Sequence, residues 1–218
     1  MSLKNLYAVI GVLLFGASLV LAIGGATPTV VSESRWAGAA AGSDVTEGGN
    51  ITVVNVSGMQ LTDKWAAYYG NVSGSIILGD PLSQVYVWTW TPSTGGEVCL
   101  SEGSAFNFAT AGTSTGSAVD LAYGFTGTDA DSGNNTFSGS CNLTFASSSV
   151  TGTQFINDAS AYDTCLVNSG GAAKANLAFC TKMGSSPAYN SAPANYEVMV
   201  PTSTGTGTET YYFYFELG

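Results

Sequence analysis

Residues 84–90 read QVYVWTW, and residues 210–217 read TYYFYFEL. In the first stretch Tyr86, Trp88 and Trp90 fall on one face of an extended chain, and Val85, Val87 and Thr89 fall on the other. In the second, Tyr211, Phe213, Phe215 and Leu217 alternate with Tyr212, Tyr214 and Glu216. A strand that is apolar on both faces belongs between other strands, with both faces covered. The aromatic row of Tyr86, Trp88 and Trp90 is accordingly expected to fill a core. A sugar-stacking platform on a monomeric surface module is the alternative reading of the same row.

Outward from these two runs, short stretches rich in Val, Ile, Tyr, Phe and Trp recur about every ten residues between Gly, Ser, Thr and Asn turns. Strands are expected at 51–56, 74–79, 84–90, 97–100, 119–125, 143–146, 174–180, 196–200 and 210–217. One short helix is expected at 63–69, capped by Thr62 and ended by Gly70, with Trp65 and Tyr69 on one face. The fold class is all-β: a single β-sandwich, jelly-roll or immunoglobulin-like, preceded by a hydrophobic segment and an extended arm. No fixed-period repeat is present, which argues against a solenoid or propeller.

Composition narrows the function. Only 9% of the 218 residues are charged, against roughly 25% in an ordinary soluble domain, and 45% are hydrophobic, so the chain is not disordered by composition. There is no histidine, which removes histidine triads and the commonest zinc ligand. With 5 basic against 15 acidic residues the net charge is -10, and such a surface repels phosphate backbones. Nucleic-acid binding is therefore excluded as a function class.

Residues 6–23 (LYAVIGVLLFGASLVLAI) carry no charge. Their length lies between a signal peptide's apolar core and a spanning helix. Gly24 and Ala26 are small residues two apart, and Thr27-Pro28 follows, so cleavage after Ala26 is favoured. The alternative is a retained N-terminal helix of type IV pilin kind. The chain then divides into residues 1–26 as signal peptide or hydrophobic helix, 27–49 as an extended arm, and 50–218 as the sandwich. Contact with a membrane is expected only through the first segment, before processing, and the product is expected outside the cell or on its surface.

An exported chain with an even number of cysteines, Cys99, Cys141, Cys165 and Cys180, and no CxxC spacing is expected to form two disulfides. Three pairings are possible; the pairing of sequence neighbours, Cys99 with Cys141 and Cys165 with Cys180, is preferred. Five asparagines lie in N-x-S/T sequons: Asn50, Asn55, Asn71, Asn134 and Asn142. On an exported chain these are usable acceptors, and glycans would supply hydration that the surface lacks. Glu47-Gly48-Gly49 reads as a turn holding Asn50, with Asn55 outward beside Ile51 and Val53, and Val54 and Val56 inward.

The arm at 27–49 carries apolar Val30, Val31 and Trp36 but no hairpin partner in sequence. Two readings stand equal. The arm can complete the sheet of a neighbouring copy, a head-to-tail contact that does not close and so propagates as a fibre, or it can fold back as the first strand of its own sandwich.

The runs KWAAYYGNVSGSIILGD (64–80), VYVWTW (85–90), YEVMVPT (196–202) and TYYFYFELG (210–218) resemble a family of secreted archaeal surface proteins that are subunits of extracellular threads or pili. The similarity touches both ends of the exported domain, while its middle, with all four cysteines, carries no such signature. The resemblance implies a glycosylated extracellular β-protein that assembles with itself by donor-strand complementation, for adhesion or cell contact. It supplies no active-site motif.

Other chemistry is weighed and declined. Asp129 and Asp131, with Asn134 and Asn135, share a glycine-containing loop that offers oxygen ligands to calcium, yet Ser140 stands where a calcium loop begun at Asp129 needs its bidentate acid. Asp80, Glu97, Glu102 and Asp120 are carboxylates of the type glycosidases use, and Lys174 or Lys182 with a serine would imitate a serine-lysine hydrolase, but no spacing selects any of them. The expectation is a structural protein with no enzymatic activity and no cofactor.

Overall fold

The computed structural model describes residues 24–35, 37, 40–80, 82–145, 148–157, 162–203 and 208–217. It is mostly β, with antiparallel pairing throughout. In chain order the strands are β1 (Gly24–Ala26), β2 (Trp65–Gly70), β3 (Ser75–Gly79), β4 (Gln84–Thr89), β5 (Gly96–Ser101), β6 (Gly112–Thr113), β7 (Ser138–Phe145), β8 (Ser148–Asn157), β9 (Asp163–Asn168), β10 (Leu177–Lys182), β11 (Tyr196–Pro201) and β12 (Tyr212–Leu217). The helices are α1 (Gly116–Tyr123) and α2 (Gly133–Thr136).

The main sheet runs β1-β12-β5-β10-β9-β8-β7, with β6 paired to β9; β11 pairs with β2, and β3 with β4, in two small sheets. Strands β5, β9 and β10 are apolar on both faces because both are covered. Val98, Leu100, Leu166, Leu177 and Phe179 point into one core, with Val198 and Val200 of β11 and Val119 and Tyr123 of α1. Their alternates Cys99, Cys165, Val167, Ala178 and Cys180 point into a second, with Leu143, Phe145, Val150, Phe106 and Phe108. Five strand spacings of about 4.8 Å would separate β7 from β12 in a flat sheet. Phe108 alone bridges them, 5.2 Å from the Phe145 ring and 5.4 Å from the Tyr214 ring, so the sheet curls back over itself.

Several expectations are corrected. Residues 63–69 are not a helix: Trp65–Gly70 is a strand paired from Tyr196↔Gly70 to Pro201↔Trp65. A separation of four residues puts Trp65 and Tyr69 on one side in a strand as it does in a helix, so the spacing did not discriminate. Residues 119–125 are not a strand: Gly116–Tyr123 is helical and stops at Gly124, whose left-handed φ of 70° suits a residue without a Cβ. Residues 51–56 form no strand, and Val54 and Val56, expected inward, are exposed. The expected strand at 174–180 starts later, at Leu177, after a single 3-10 turn at Lys174–Asn176.

The disulfides join Cys99 to Cys180 and Cys141 to Cys165, not Cys99 to Cys141 and Cys165 to Cys180 as expected. The reason is topological. Cys180 is directly opposite Cys99 across the β5–β10 ladder, 81 residues away in sequence, and also opposite Cys165 across β9–β10; the sheet thus brings it a partner that the chain keeps distant, and the bond is made to that one. Two disulfides fit a chain that folds in an oxidising environment.

Candidate assembly surface

The described part of residues 27–61 contains neither helix nor strand. Glu47 to Asn50 make the expected turn, Asn50 N donating to Glu47 O at 3.3 Å, but the flanking chain is extended and exposed. Val31, Val45, Ile51 and Val56 are each more than 90% exposed, and Val30, Val53 and Met59 are exposed too. Trp36, named with Val30 and Val31 as part of the arm, lies outside the described residues, as does the apolar segment before Gly24. Among the described residues no helix is long and apolar enough to cross a membrane.

Gly24–Ala26 pairs with β12, Gly24↔Phe215 through Ala26↔Phe213, so three residues ahead of the arm do lie on the chain's own sheet. This contact has backbone hydrogen bonds but almost no side chains: two glycines and an alanine. A cavity of about 290 Å³ lies beside it, lined by Gly25, Ala26, Pro28, Ser104, Tyr212 and Phe213 among others.

The β3–β4 hairpin is a second exposed apolar element. Ile76 is opposite Trp88 and Leu78 opposite Tyr86, which sets these four on one face; Ile77, Val85 and Val87 take the other. None reaches either core, and all seven are exposed. Of the aromatic row expected in the core, Trp90 alone is buried, its Nε1 donating to Gly95 O at 3.2 Å, while Tyr86 and Trp88 contact each other with ring centroids 4.8 Å apart. The correction has a physical cause: among the described residues β4 pairs with β3 alone, outside the main sheet, and the hairpin's side chains join neither core. A two-stranded hairpin with no third strand or helix against it is marginal in water.

All five sequon asparagines are exposed: Asn50 and Asn55 in the arm region, Asn71 after β2, Asn134 in α2 and Asn142 in β7. Ser117 Oγ donates to Asn134 Oδ1 at 3.0 Å and Gly152 N to Asn142 Oδ1 at 2.9 Å. Both bonds use the amide oxygen, not the nitrogen to which a glycan is attached.

The loop considered for calcium already holds a cation of the chain's own. Lys64 Nζ lies 2.8 Å from Asp129 Oδ2 and 2.6 Å from Asp131 Oδ1, and Thr62 donates to Asp131 at 2.7 Å. Hydrogen bonds to Asp129 and Asp131 hold the lysine above its ordinary pKa; those from Lys64 and Thr62 hold Asp131 below the usual carboxylate range. The Trp65 indole donates to Asp131 O at 2.7 Å, so the cluster fastens β2 to the loop before α2.

The other carboxylates have separate structural partners. Asp80 accepts from Leu82 N and Ser83 N at 2.8 and 2.7 Å in the hairpin turn. Asp120 accepts from Gly133 N and Asn134 N at 2.5 and 2.9 Å at the start of α2. Glu97 faces Glu216 across β5–β12 and Lys182 across β5–β10; burial, reinforced by Glu216, pushes its carboxyl up to about 7. Among the described residues no three His, Cys, Asp or Glu side chains are grouped to hold a metal.

Lys174, Glu209, Ser203, Glu102, Tyr123 and Tyr211 form a partly buried polar cluster that spacing in the chain did not reveal, because its members come from five separate segments. No protein-family model, curated protein or solved structure matches the chain.

Proposed function

We propose that the chain is a structural subunit of an extracellular surface filament, exported, glycosylated, and joined head to tail through its arm. The observation that carries this reading is the exposure of two apolar elements on one chain. The arm presents Val30, Val31 and Val45, the extended stretch after it presents Ile51, Val53, Val56 and Met59, and the hairpin presents seven more large apolar side chains. Burying seven aliphatic side chains at about 1.5 kcal/mol each is worth on the order of 10 kcal/mol before ordering costs, enough to drive assembly. A second copy supplies both a strand for the arm to follow and a cover for the hairpin.

The body suited to this role is two-layered and sandwich-type, built from the curled main sheet and the β2–β11 pair, and it tolerates an exterior environment through its two disulfides. The likeness of residues 64–80, 85–90, 196–202 and 210–218 to archaeal thread and pilus subunits supports the same reading. The test is electron microscopy of the exported full-length chain beside a form lacking residues 27–49. Fibres from the first and soluble monomers from the second, with fibres restored by the arm peptide in trans, are expected; equal fibres from both overturn the arm, and dispersed monomers from the intact chain overturn the filament. N-terminal sequencing of exported material starting at Thr27 is expected, and a start at or before Leu6 favours the retained-helix form.

A second reading rests on the exposed Tyr86 and Trp88 rings, which suit stacking against a sugar on a monomeric surface module. Tryptophan fluorescence that shifts with oligosaccharide, in a protein that stays monomeric, would favour it.

A further inference from the structure

Lys174 ends a loop in the 3-10 turn before β10, and Glu209 stands just before β12. Their side chains meet with Nζ 2.7 Å from Oε1, the lysine side chain 28% and the glutamate side chain 15% exposed. Ser203 Oγ contacts both. The Tyr123 ring lies 4.7 Å from Nζ and walls one side. Tyr123 is in turn linked to Tyr211, OH to OH at 2.8 Å, and Tyr211 donates to Pro201 O at 2.6 Å. A second carboxyl completes the group: Glu102, on the loop after β5, is within hydrogen-bonding reach of both Tyr123 and Glu209. Its Oε1 is buried with no hydrogen-bond partner among the described residues.

An amine paired with a carboxylate, with a separate half-buried acid beside them and an aromatic ring over the amine, is the set of groups needed to make an amide between side chains. We propose that Lys174 and Glu209 condense into an intramolecular isopeptide cross-link, with Glu102 as the proton relay. A proton first passes from the Lys174 ammonium to the Glu209 carboxylate, leaving a neutral amine and a neutral acid. The Nζ lone pair attacks Cδ of Glu209, and the carbonyl π pair moves to oxygen. Glu102 takes the second proton from Nζ and delivers it to the Glu209 hydroxyl, the C–O bond breaks with its electron pair, and water departs. The product is one amide and one water; one positive and one negative charge disappear together, and no oxidant, reductant or activating group takes part.

Burial raises the Glu102 carboxyl above the usual carboxylate range, which strengthens it as the base that takes the proton from Nζ. Glu209 itself is pushed up by burial, yet Lys174 and Ser203 bring it below its ordinary value, so the resting pair is ionic and the first proton transfer is the barrier that Glu102 and the aromatic wall must lower. The bond would tie the lead into β12 to the turn before β10, fixing the C-terminal strand to the core across 35 residues of sequence.

The full chain is to be exported into a bacterial periplasm, reduced, digested and examined by tandem mass spectrometry. One branched peptide containing Lys174 and Glu209, lighter by one water than the sum of its parts, is expected. Separate, unmodified peptides containing Lys174 and Glu209 overturn the cross-link, and the wild-type protein alone decides this. Lys174→Ala and Glu209→Ala are expected to lose the branched peptide. Glu102→Gln, checked for both disulfides and a cooperative melt, is expected to slow its formation about 100-fold or more; an unchanged rate overturns the role of Glu102.

Discussion

Replacing Glu97 with glutamine should make the protein more stable at pH 8 and leave it nearly unchanged at pH 4. Glu97 is buried in β5 with its pKa raised from 4.5 to about 7, first by burial and then by Glu216 opposite it on β12; Lys182 opposite it on β10 and a hydrogen bond with the Thr144 backbone only partly offset these. Between pH 4.5 and 7 the folded chain holds a proton on Glu97 that the unfolded chain has released, so stability falls as pH rises through this window. Below the window the group contributes no penalty; above it the full penalty applies. With about 1.36 kcal/mol per unit, the shift amounts to about 3 kcal/mol, or roughly 6–12 °C in Tm for a chain of this size. The window is unusually clear, because the chain has no histidine and the four cysteines are in disulfides. Glu102, also raised by burial, adds a slope of the same sign that remains in the variant. Thermal unfolding of wild type and Glu97→Gln from pH 4 to 8, with disulfides intact, is the assay. A variant whose melting temperature falls with pH as steeply as the wild type's would refute the buried-carboxylate account.

Lys64→Ala should lower the melting temperature and free the β2 end of its sheet, because two carboxylates lose their cation at once; hydrogen exchange at residues 65–70 reads this directly. The stabilising shift of Asp131 is present above its unfolded pKa and lost as pH falls through its lower folded one, so acid unfolding should occur at higher pH in this variant. Removing Cys99–Cys180, which closes 81 residues, should cost about 4.5 kcal/mol, and removing Cys141–Cys165, which closes 24, about 3.5 kcal/mol, on loop-entropy grounds. Non-reducing peptide mapping that found Cys99 joined to Cys141 would contradict the Cys99–Cys180 and Cys141–Cys165 pairing.

Strand positions were legible because period-two hydrophobicity is a local property: the strands expected at 97–100 and 196–200 lie within β5 and β11, and those expected at 74–79, 84–90 and 210–217 match β3, β4 and β12 to within two residues at their ends. Where a local pattern fits two conformations it failed. Trp65 and Tyr69 share a side in helix and strand alike, and residues 119–125 carry β-formers that α1 uses to meet the core at Val119 and Tyr123. Of the surface proposed for assembly, Val30 and Val31 were visible as apolar residues without a partner, but the exposure of Tyr86 and Trp88 was not, since an aromatic row reads the same whether its sheet is covered or bare.

The sequence by itself determined the all-β class, the exclusion of histidine chemistry, the acidic surface and the presence of an apolar arm, since each follows from residue type and spacing within a few neighbours. Tertiary structure alone decided which cysteines join, that Lys64 fills the loop considered for calcium from 65 residues away, and that Lys174 meets Glu209 beside Glu102. These depend on strand order, which is set by how two cores are filled at once; a chain whose strands are apolar on both faces carries no local mark of which neighbour each will take.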